Sequence, residues 1–281
     1  MQIIGAIIYL RNQLGRWSLM TPLEFIPAIA RQKPTNQDAC PFCNLASLEK
    51  IIDQTDDFLW LDNKYPTIKD TYQTLVIESQ EHLGDISNYS YAYNRRLFNY
   101  LWDCFDKLQA TGAYQSVVMF RNFGPRSGGS LRHPHTQIIG FDHVDAYEQL
   151  EEANFLGKEL LAETTASPEI TLSRQPLIGF SEFNVLVSKR QALAKLADGV
   201  KELVGYLMTV YFNGRCDSYN LFFYERPGKF ICKVVPRFIA SPYYIGYKLP
   251  QVDDAVRQAE VKAEFLAYRA QLRKDLLDEE A

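Results

Sequence analysis

The sequence predicts an α+β fold made of two similar halves, and two observations carry that expectation. Each half runs strand, connection, helix, strand, strand, without the strict strand–helix alternation of a parallel sheet. The segment Gln73-Thr74-Leu75-Val76-Ile77 is echoed by Glu182-Phe183-Asn184-Val185-Leu186-Val187, as a diverged internal duplication would produce. No low-complexity linker separates the halves, so they are expected to share one sheet or to pack tightly.

Taken in order, Ile3–Leu10 is a short apolar run without a basic leader or a small-residue cleavage site. It reads as a strand, not a signal peptide. Phe58–Asp62 and Thr74–Ser79 follow as strands, then a helix from about Tyr91 to Ala110. Strands Ser116–Asn122 and Thr136–Gly140 complete the first half, residues 1–145. The segment Asp145–Glu163 has helical spacing and ends before Ser167-Pro168. It opens the second half, residues 146–281, which continues with a strand near Glu182–Ser188 and a helix from about Leu196 to Asn213. Strands Tyr219–Tyr224 and Phe230–Val235 come next. The charged tail from Val252 to Glu280 carries apolar positions at Val256, Ala259, Phe265, Leu266, Leu272 and Leu276. It reads as an exposed amphipathic helix with a docking stripe.

With 281 residues, 47% of them hydrophobic and 13% aromatic, the chain can bury a sizeable core. Its net charge of −4 gives no basic surplus for nucleic acid, so an anionic ligand would need a local cationic or N–H-lined site. No segment approaches the roughly 18 apolar residues that span a bilayer. Five cysteines form no even disulfide framework, and a cytoplasmic location is the default. Cys104, Cys216 and Cys232 sit in apolar contexts and read as core thiols.

The chemistry concentrates in His133-Pro134-His135-Thr136-Gln137. On a strand, alternate side chains share a face, so His133, His135 and Gln137 line up. Upstream, Asn122-Phe123-Gly124-Pro125-Arg126-Ser127-Gly128-Gly129-Ser130 is glycine-rich and suits close backbone approach to a phosphate. Arg121, Arg126 and Arg132 flank it and either neutralise phosphate or solvate the surface. Cys40-Pro41-Phe42-Cys43 reads as a redox pair, half of a zinc site, or two core thiols. A redox pair expects a thioredoxin-like setting, which the surrounding pattern lacks. A zinc site would need two of the four histidines, His82, His133, His135 and His143. His143 has no evident partner and reads as structural or exposed.

Together these motifs resemble the galactose-1-phosphate uridylyltransferase branch of the histidine-triad superfamily. Arg11–Pro22 is similar to that family's opening segment, and Lys33-Pro34 before the CxxC fits it too. Asn63-Lys64-Tyr65-Pro66 resembles its nucleotide-contacting turn, Glu81-His82 its zinc-ligand histidine, and Gly128–Gln137 its active-site signature. The matches keep their order over residues 11–140. In the second half they reduce to Pro236-Arg237-Phe238 and Tyr244-Ile245-Gly246-Tyr247. The resemblance implies two histidine-triad-like motifs in a mostly antiparallel sheet with helices packed outside. It implies one structural zinc on Cys40, Cys43, His82 and His133, with His135 as nucleophile and Gln137 as a phosphate-oxygen partner. Asn63 and Lys64 would lie near the nucleoside; Asn122, Gly128, Gly129 and Ser130 would lie near the phosphates. A homodimer is implied as well.

The expected activity is therefore nucleotidyl transfer from a nucleotide sugar or related diphosphate to a phosphorylated acceptor, through a nucleotidyl-histidine. A sugar-nucleotide or dinucleoside-polyphosphate phosphorylase is the alternative, as is a nucleotide-binding protein without activity on the same scaffold. At Gln137 an amide donates hydrogen bonds without titrating, which favours transfer between phosphates over hydrolysis. The chain departs from the family in two places. No histidine follows His143, so a second, histidine-rich metal site is not expected. Lys248 stands where an acidic residue would bond sugar hydroxyls, which disfavours galactose or glucose and favours a more anionic acceptor.

Overall fold

A computed structural model describes residues 8–11, 17–20, 22–35, 37–178 and 180–279. The first strands, β1 (Ile8–Arg11) and β2 (Trp17–Met20), form a separate antiparallel hairpin. The expected strand at Ile3–Leu10 thus appears only from Ile8; residues 3–7, like 12–16 and 21 of the opening segment, lie outside the described residues. A short helix α1 (Pro27–Ala30) follows.

The main sheet has ten strands, all paired antiparallel. The first half supplies β3 (Ile51–Gln54), β4 (Leu59–Asp62), β5 (Thr71–Ile77), helix α2 (Tyr91–Ala110), β6 (Ser116–Phe123) and β7 (His135–Phe141). The second supplies β8 (Gly157–Leu161), β9 (Glu169–Ser173), β10 (Phe183–Val187), helix α3 (Leu193–Thr209), β11 (Tyr219–Arg226) and β12 (Lys229–Pro236). Two more helices, α4 (Pro242–Tyr247) and α5 (Ala255–Glu279), end the chain. The strand order is β3-β4-β5-β7-β6-β11-β12-β10-β9-β8. Each half contributes five strands in the same succession, and the two sets meet back to back at β6 and β11. The duplication is thus built into one continuous sheet.

Helices α2 and α3 cover one face. Ser90 caps α2 by accepting from the Tyr93 amide, and Leu97, Leu101, Cys104, Phe105 and Leu108 form its buried stripe. Together with Phe98 and Trp102 they join Val76, Ile138, Leu221 and Val234 from the strands in the main core. Burial of each such large side chain contributes about 1.5–3 kcal/mol. Helix α3 starts earlier and stops earlier than the expected span. After Val210 the backbone turns left-handed at Phe212 and Asn213 (φ 49° and 56°) and then at Gly214, which an α-helix cannot continue through.

One expectation fails here and another holds only in part. Asp145–Glu163 is not a helix: it contains a single 3-10 turn at Glu152–Asn154 and then strand β8. Its apolar residues Tyr147, Leu150 and Phe155 fold onto the opposite face of the sheet, against Leu186, Tyr224 and Ile231. Helix α5 docks on part of the expected stripe, through Phe265, and adds Val261 to it. Val261 and Phe265 are fully buried, Val256 is 68% exposed and Leu266 is 37% exposed. The edge strands β3 and β8, and β9 beside β8, add to the expected set.

The opposite face of the first half is covered by the CxxC segment, where Phe42 packs on Leu59, Leu61, Leu75 and Ile77. Between this cover and the one at Tyr147–Phe155, the face stays open over the centre of the sheet. Val118, Phe120, Asn122 and Phe222 there are only half-buried.

Candidate active site and metal centre

Strand β7 begins at His135, beside the end of β5, and both strands lead to the open face. The register pairs His135 with Ile77, and Gln137 with Leu75 on one side and Phe120 on the other. One step beyond the last pair of β6 and β7, Arg121 with Thr136, the same antiparallel register sets Asn122 opposite His135. His135, Gln137 and Asn122 therefore share a face, while Thr136 and Arg121 point to the helix side.

Cys40, Cys43, His82 and His133 come together, their ligand atoms all within 4.8 Å of one another. The Nδ1 of His133 lies 3.7 Å from Cys40 Sγ and 3.5 Å from Cys43 Sγ, and Cys43 Sγ lies 3.4 Å from His82 Nδ1. Tetrahedral zinc, with bonds of about 2.3 Å to sulfur and about 2.0 Å to nitrogen, demands S···N edges of about 3.5 Å. The donor set and its spacing fit zinc, so this group can hold a metal ion. The Nε2–H of His133 donates to the Ser79 carbonyl at 2.8 Å, which leaves Nδ1 turned to the thiols, as a ligand histidine requires. Desolvation, and after it the neighbouring Cys40 thiol, push the Cys43 thiol up. Burial pulls His133 down.

His135 uses the other nitrogen. Its Nδ1–H donates to the His133 carbonyl at 2.8 Å, so Nε2 carries the free lone pair. Burial holds its pKa below the usual imidazole value, partly offset by that carbonyl bond, and the ring is neutral near pH 7. Phe42 meets both rings edge-on, at 5.8 Å from His133 and 5.5 Å from His135. The side chain between the two cysteines thus packs on both histidines.

The glycine-rich loop runs along the same edge. Gly124 has φ +85°, and a Cβ there would stand 2.2 Å from the Asp217 carbonyl oxygen, so only glycine fits. Gly129 presses close enough to Asn122 that a Cβ would lie 3.1 Å from the asparagine Cβ. Gly128 and Ser130 are exposed. Asn63 and Lys64 are not beside His135. Asn63 bonds through its amide N–H to Gln73, four residues along β5 from Ile77, a distance of about 13 Å. Lys64 is exposed.

The three arginines divide. Arg126 pairs with Asp217 at the surface. Arg132 lies over the Phe123 ring at 4.6 Å and donates to the Leu83 and Gly84 carbonyls. Arg121 is not a phosphate ligand: it is 1% exposed and bonded on the helix side to Glu78 at 2.9 Å, Asp85 at 3.1 Å and the Tyr219 hydroxyl at 2.7 Å. Glu78 also accepts from Thr136 Oγ1 at 2.7 Å, so this buried network braces β7 between His135 and Gln137. Its strand parity was the one signal for it, since Arg121 falls one residue out of step with Asn122. Lys33 is a further addition: half-buried, it stands near enough for its charge to act on His135.

Models of the DUF4931 family, described as a domain of unknown function, match the chain twice: the N-terminal domain over residues 25–144 and the C-terminal domain over residues 147–267. No curated protein matches it in sequence. Among solved structures, a DUF4931 family protein from Bacillus cereus is 39% identical, covering 78% of this chain and 99% of its own, with a TM-score of 0.69. A uridylyltransferase is 17% identical, covering 95% and 99%, with a TM-score of 0.65. An ADP-glucose phosphorylase from Arabidopsis thaliana with bound ADP-glucose is 14% identical, covering 92% and 98%, also at 0.65. The two distant likenesses show a shared fold alone. By sequence and by structure alike, the chain belongs to the DUF4931 family.

Proposed function

We propose that this protein transfers a nucleotidyl group through a covalent intermediate on His135. One observation carries the reading: the His135 ring is tied at Nδ1 to a backbone carbonyl, which leaves a neutral Nε2 on the open face, opposite Asn122 and beside the glycine-rich loop. Pinning one nitrogen fixes the tautomer and presents the other as a nucleophile with little rotamer loss. The distant likeness to a uridylyltransferase and an ADP-glucose phosphorylase supports the same chemistry and a nucleotide or sugar-nucleotide donor.

In the first step the Nε2 lone pair forms a bond to the α-phosphorus of a nucleoside diphosphate derivative. The bond from that phosphorus to its bridging oxygen breaks, and the departing phosphate keeps the electron pair. In the second step an oxygen of a phosphorylated acceptor attacks the same phosphorus, and the N–P pair returns to Nε2. Gln137 supplies an amide donor to a phosphoryl oxygen without offering a proton, which suffices for a leaving group already stable as an anion. Asn122, Gly128, Gly129 and Ser130 line the phosphates, and Asn63 and Lys64 reach the nucleoside end. Cys40, Cys43, His82 and His133 would hold zinc in closed tetrahedral coordination, whose contribution is structural: it neutralises two thiolates and fixes the start of β7.

A second reading has its own support. Lys248, exposed and left-handed at φ 53° just after α4, offers a cation where a sugar-binding carboxylate was expected. An anionic acceptor such as free phosphate is then favoured, making the protein a phosphorylase. Incubation with a panel of UDP- and ADP-linked donors, followed by intact-mass measurement, should reveal one nucleotidyl adduct that His135→Ala does not form. Products with and without added phosphate separate transferase from phosphorylase. Nucleotide binding with no adduct from any donor would make the scaffold a binding protein instead.

A further inference from the structure

We propose that Asn220 and Arg237, from the second half, are positioning residues that orient Asn122 as a hydrogen-bond donor to the phosphoryl group, an assignment that rests on the reading of His135 above. Asn220 lies on β11, paired with Asn122 across the seam between the halves, and is 2% exposed. Its Oδ1 accepts from Arg237 Nη1 at 2.9 Å. Its Nδ2 donates to the Ser127 carbonyl at 3.0 Å and to Asn122 Oδ1 at 2.6 Å.

The orientation of this relay follows from what its ends can do. A guanidinium only donates, and a backbone carbonyl only accepts. Asn220 is therefore held from both sides, oxygen toward Arg237 and nitrogen toward Ser127, and cannot turn over without breaking both bonds. Because its nitrogen also faces Asn122, Asn122 must present oxygen to it. Asn122 is thereby left with its two amide hydrogens for an accepting oxygen on a ligand, which suits a phosphoryl group. The same Asn220 nitrogen ties down Ser127, one residue before the Gly128-Gly129 turn. A single side chain from the second half thus sets both the amide and the loop that face His135. This gives the second half, which contains no histidine, a defined part in the site.

Asn220→Asp keeps size and the Arg237 partner but removes the donor. An introduced carboxylate can only accept, so Asn122 must turn its NH2 inward and its oxygen toward the ligand. Calorimetric binding of ADP and of UDP should then weaken by about 10-fold to 100-fold, the worth of a hydrogen bond to a charged group. The adduct should form correspondingly more slowly. In an Asn122→Ala background the same change should cost clearly less, the remainder coming from the freed Ser127 carbonyl and the introduced charge. A merely structural role would give equal losses in both backgrounds. That result, or unchanged binding in Asn220→Asp, overturns the proposal, as does a wild-type protein that binds neither nucleotide. Binding that responds as expected without any adduct would refute the His135 chemistry and leave the relay standing. Should circular dichroism show Asn220→Asp unfolded, Arg237→Met enters the same cycle from a half-buried position, with a smaller loss of at least about 3-fold expected.

Discussion

His133 lies in the bend just before β7 and not on the strand face expected for it, His135 is the first residue of β7, and what separates the two is which nitrogen is tied. The Ser79 carbonyl takes the Nε2–H of His133 and leaves Nδ1 to the thiols; the His133 carbonyl takes the Nδ1–H of His135 and leaves Nε2 free. Two peptide oxygens thus leave different nitrogens free on the two rings, as the proposed division between metal and substrate requires. Elemental analysis should find about one zinc per chain, and exhaustive chelation should lower the melting temperature by at least about 5 °C. Cys40→Ser with Cys43→Ser should abolish both the metal and the chelator response; a full metal load in that variant would remove the site. The gathering of Cys40, Cys43, His82 and His133 was legible in the sequence through the family resemblance, since the spacing alone left the histidine partners open. The tautomers were not, since they depend on carbonyls that any residue could supply. Asn220 was equally hidden. Nothing about one asparagine in an apolar strand marks it until β11 is laid against β6.

Among the elements, those with a clear period and a chemical stop were legible, and those defined by what they cover were not. Helix α2 follows its apolar stripe and Ser90 cap, so its expected limits match those observed. The apolar spacing of Tyr147, Leu150 and Phe155 mimics a helix, yet these residues are claimed by a sheet face that would otherwise lie bare. Helix α5 shows the same competition on a smaller scale. Its docking is set by Val261 and Phe265 in the core and by Glu202, 2% exposed, which binds Arg269 at 2.5 Å and Arg273 at 3.3 Å. Phe265→Ala should cost about 3–5 kcal/mol in denaturant unfolding, whereas Val256→Ala should change stability by less than about 0.5 kcal/mol. Equal effects would mean that Val256 packs as closely as Phe265 and that the docked face is the whole expected stripe.

For the whole molecule, the decisive place is the seam where β6 meets β11. Arg121 crosses it, holding Glu78 and Asp85 of the first half and the Tyr219 hydroxyl of the second, with all four groups buried. The Tyr219 hydroxyl donates in turn to Asp85 at 2.5 Å. Trp102 spans the same junction, packing edge-on against Phe230 at 5.2 Å and Phe223 at 6.3 Å. A charge cluster and a core that both bridge the seam should make the halves unfold together, even though each repeats the same five-strand unit. Removing the cation tests this directly. Arg121→Met leaves two carboxylates buried without their partner, a loss of about 3–5 kcal/mol. Tryptophan fluorescence and far-ultraviolet circular dichroism should still report one shared transition, moved to lower denaturant. Two separated transitions in the wild type would mean that the halves are independent units laid side by side. The seam relay through Asn220 would then join two bodies free to open, and a site assembled across it would lose the rigidity that its chemistry needs.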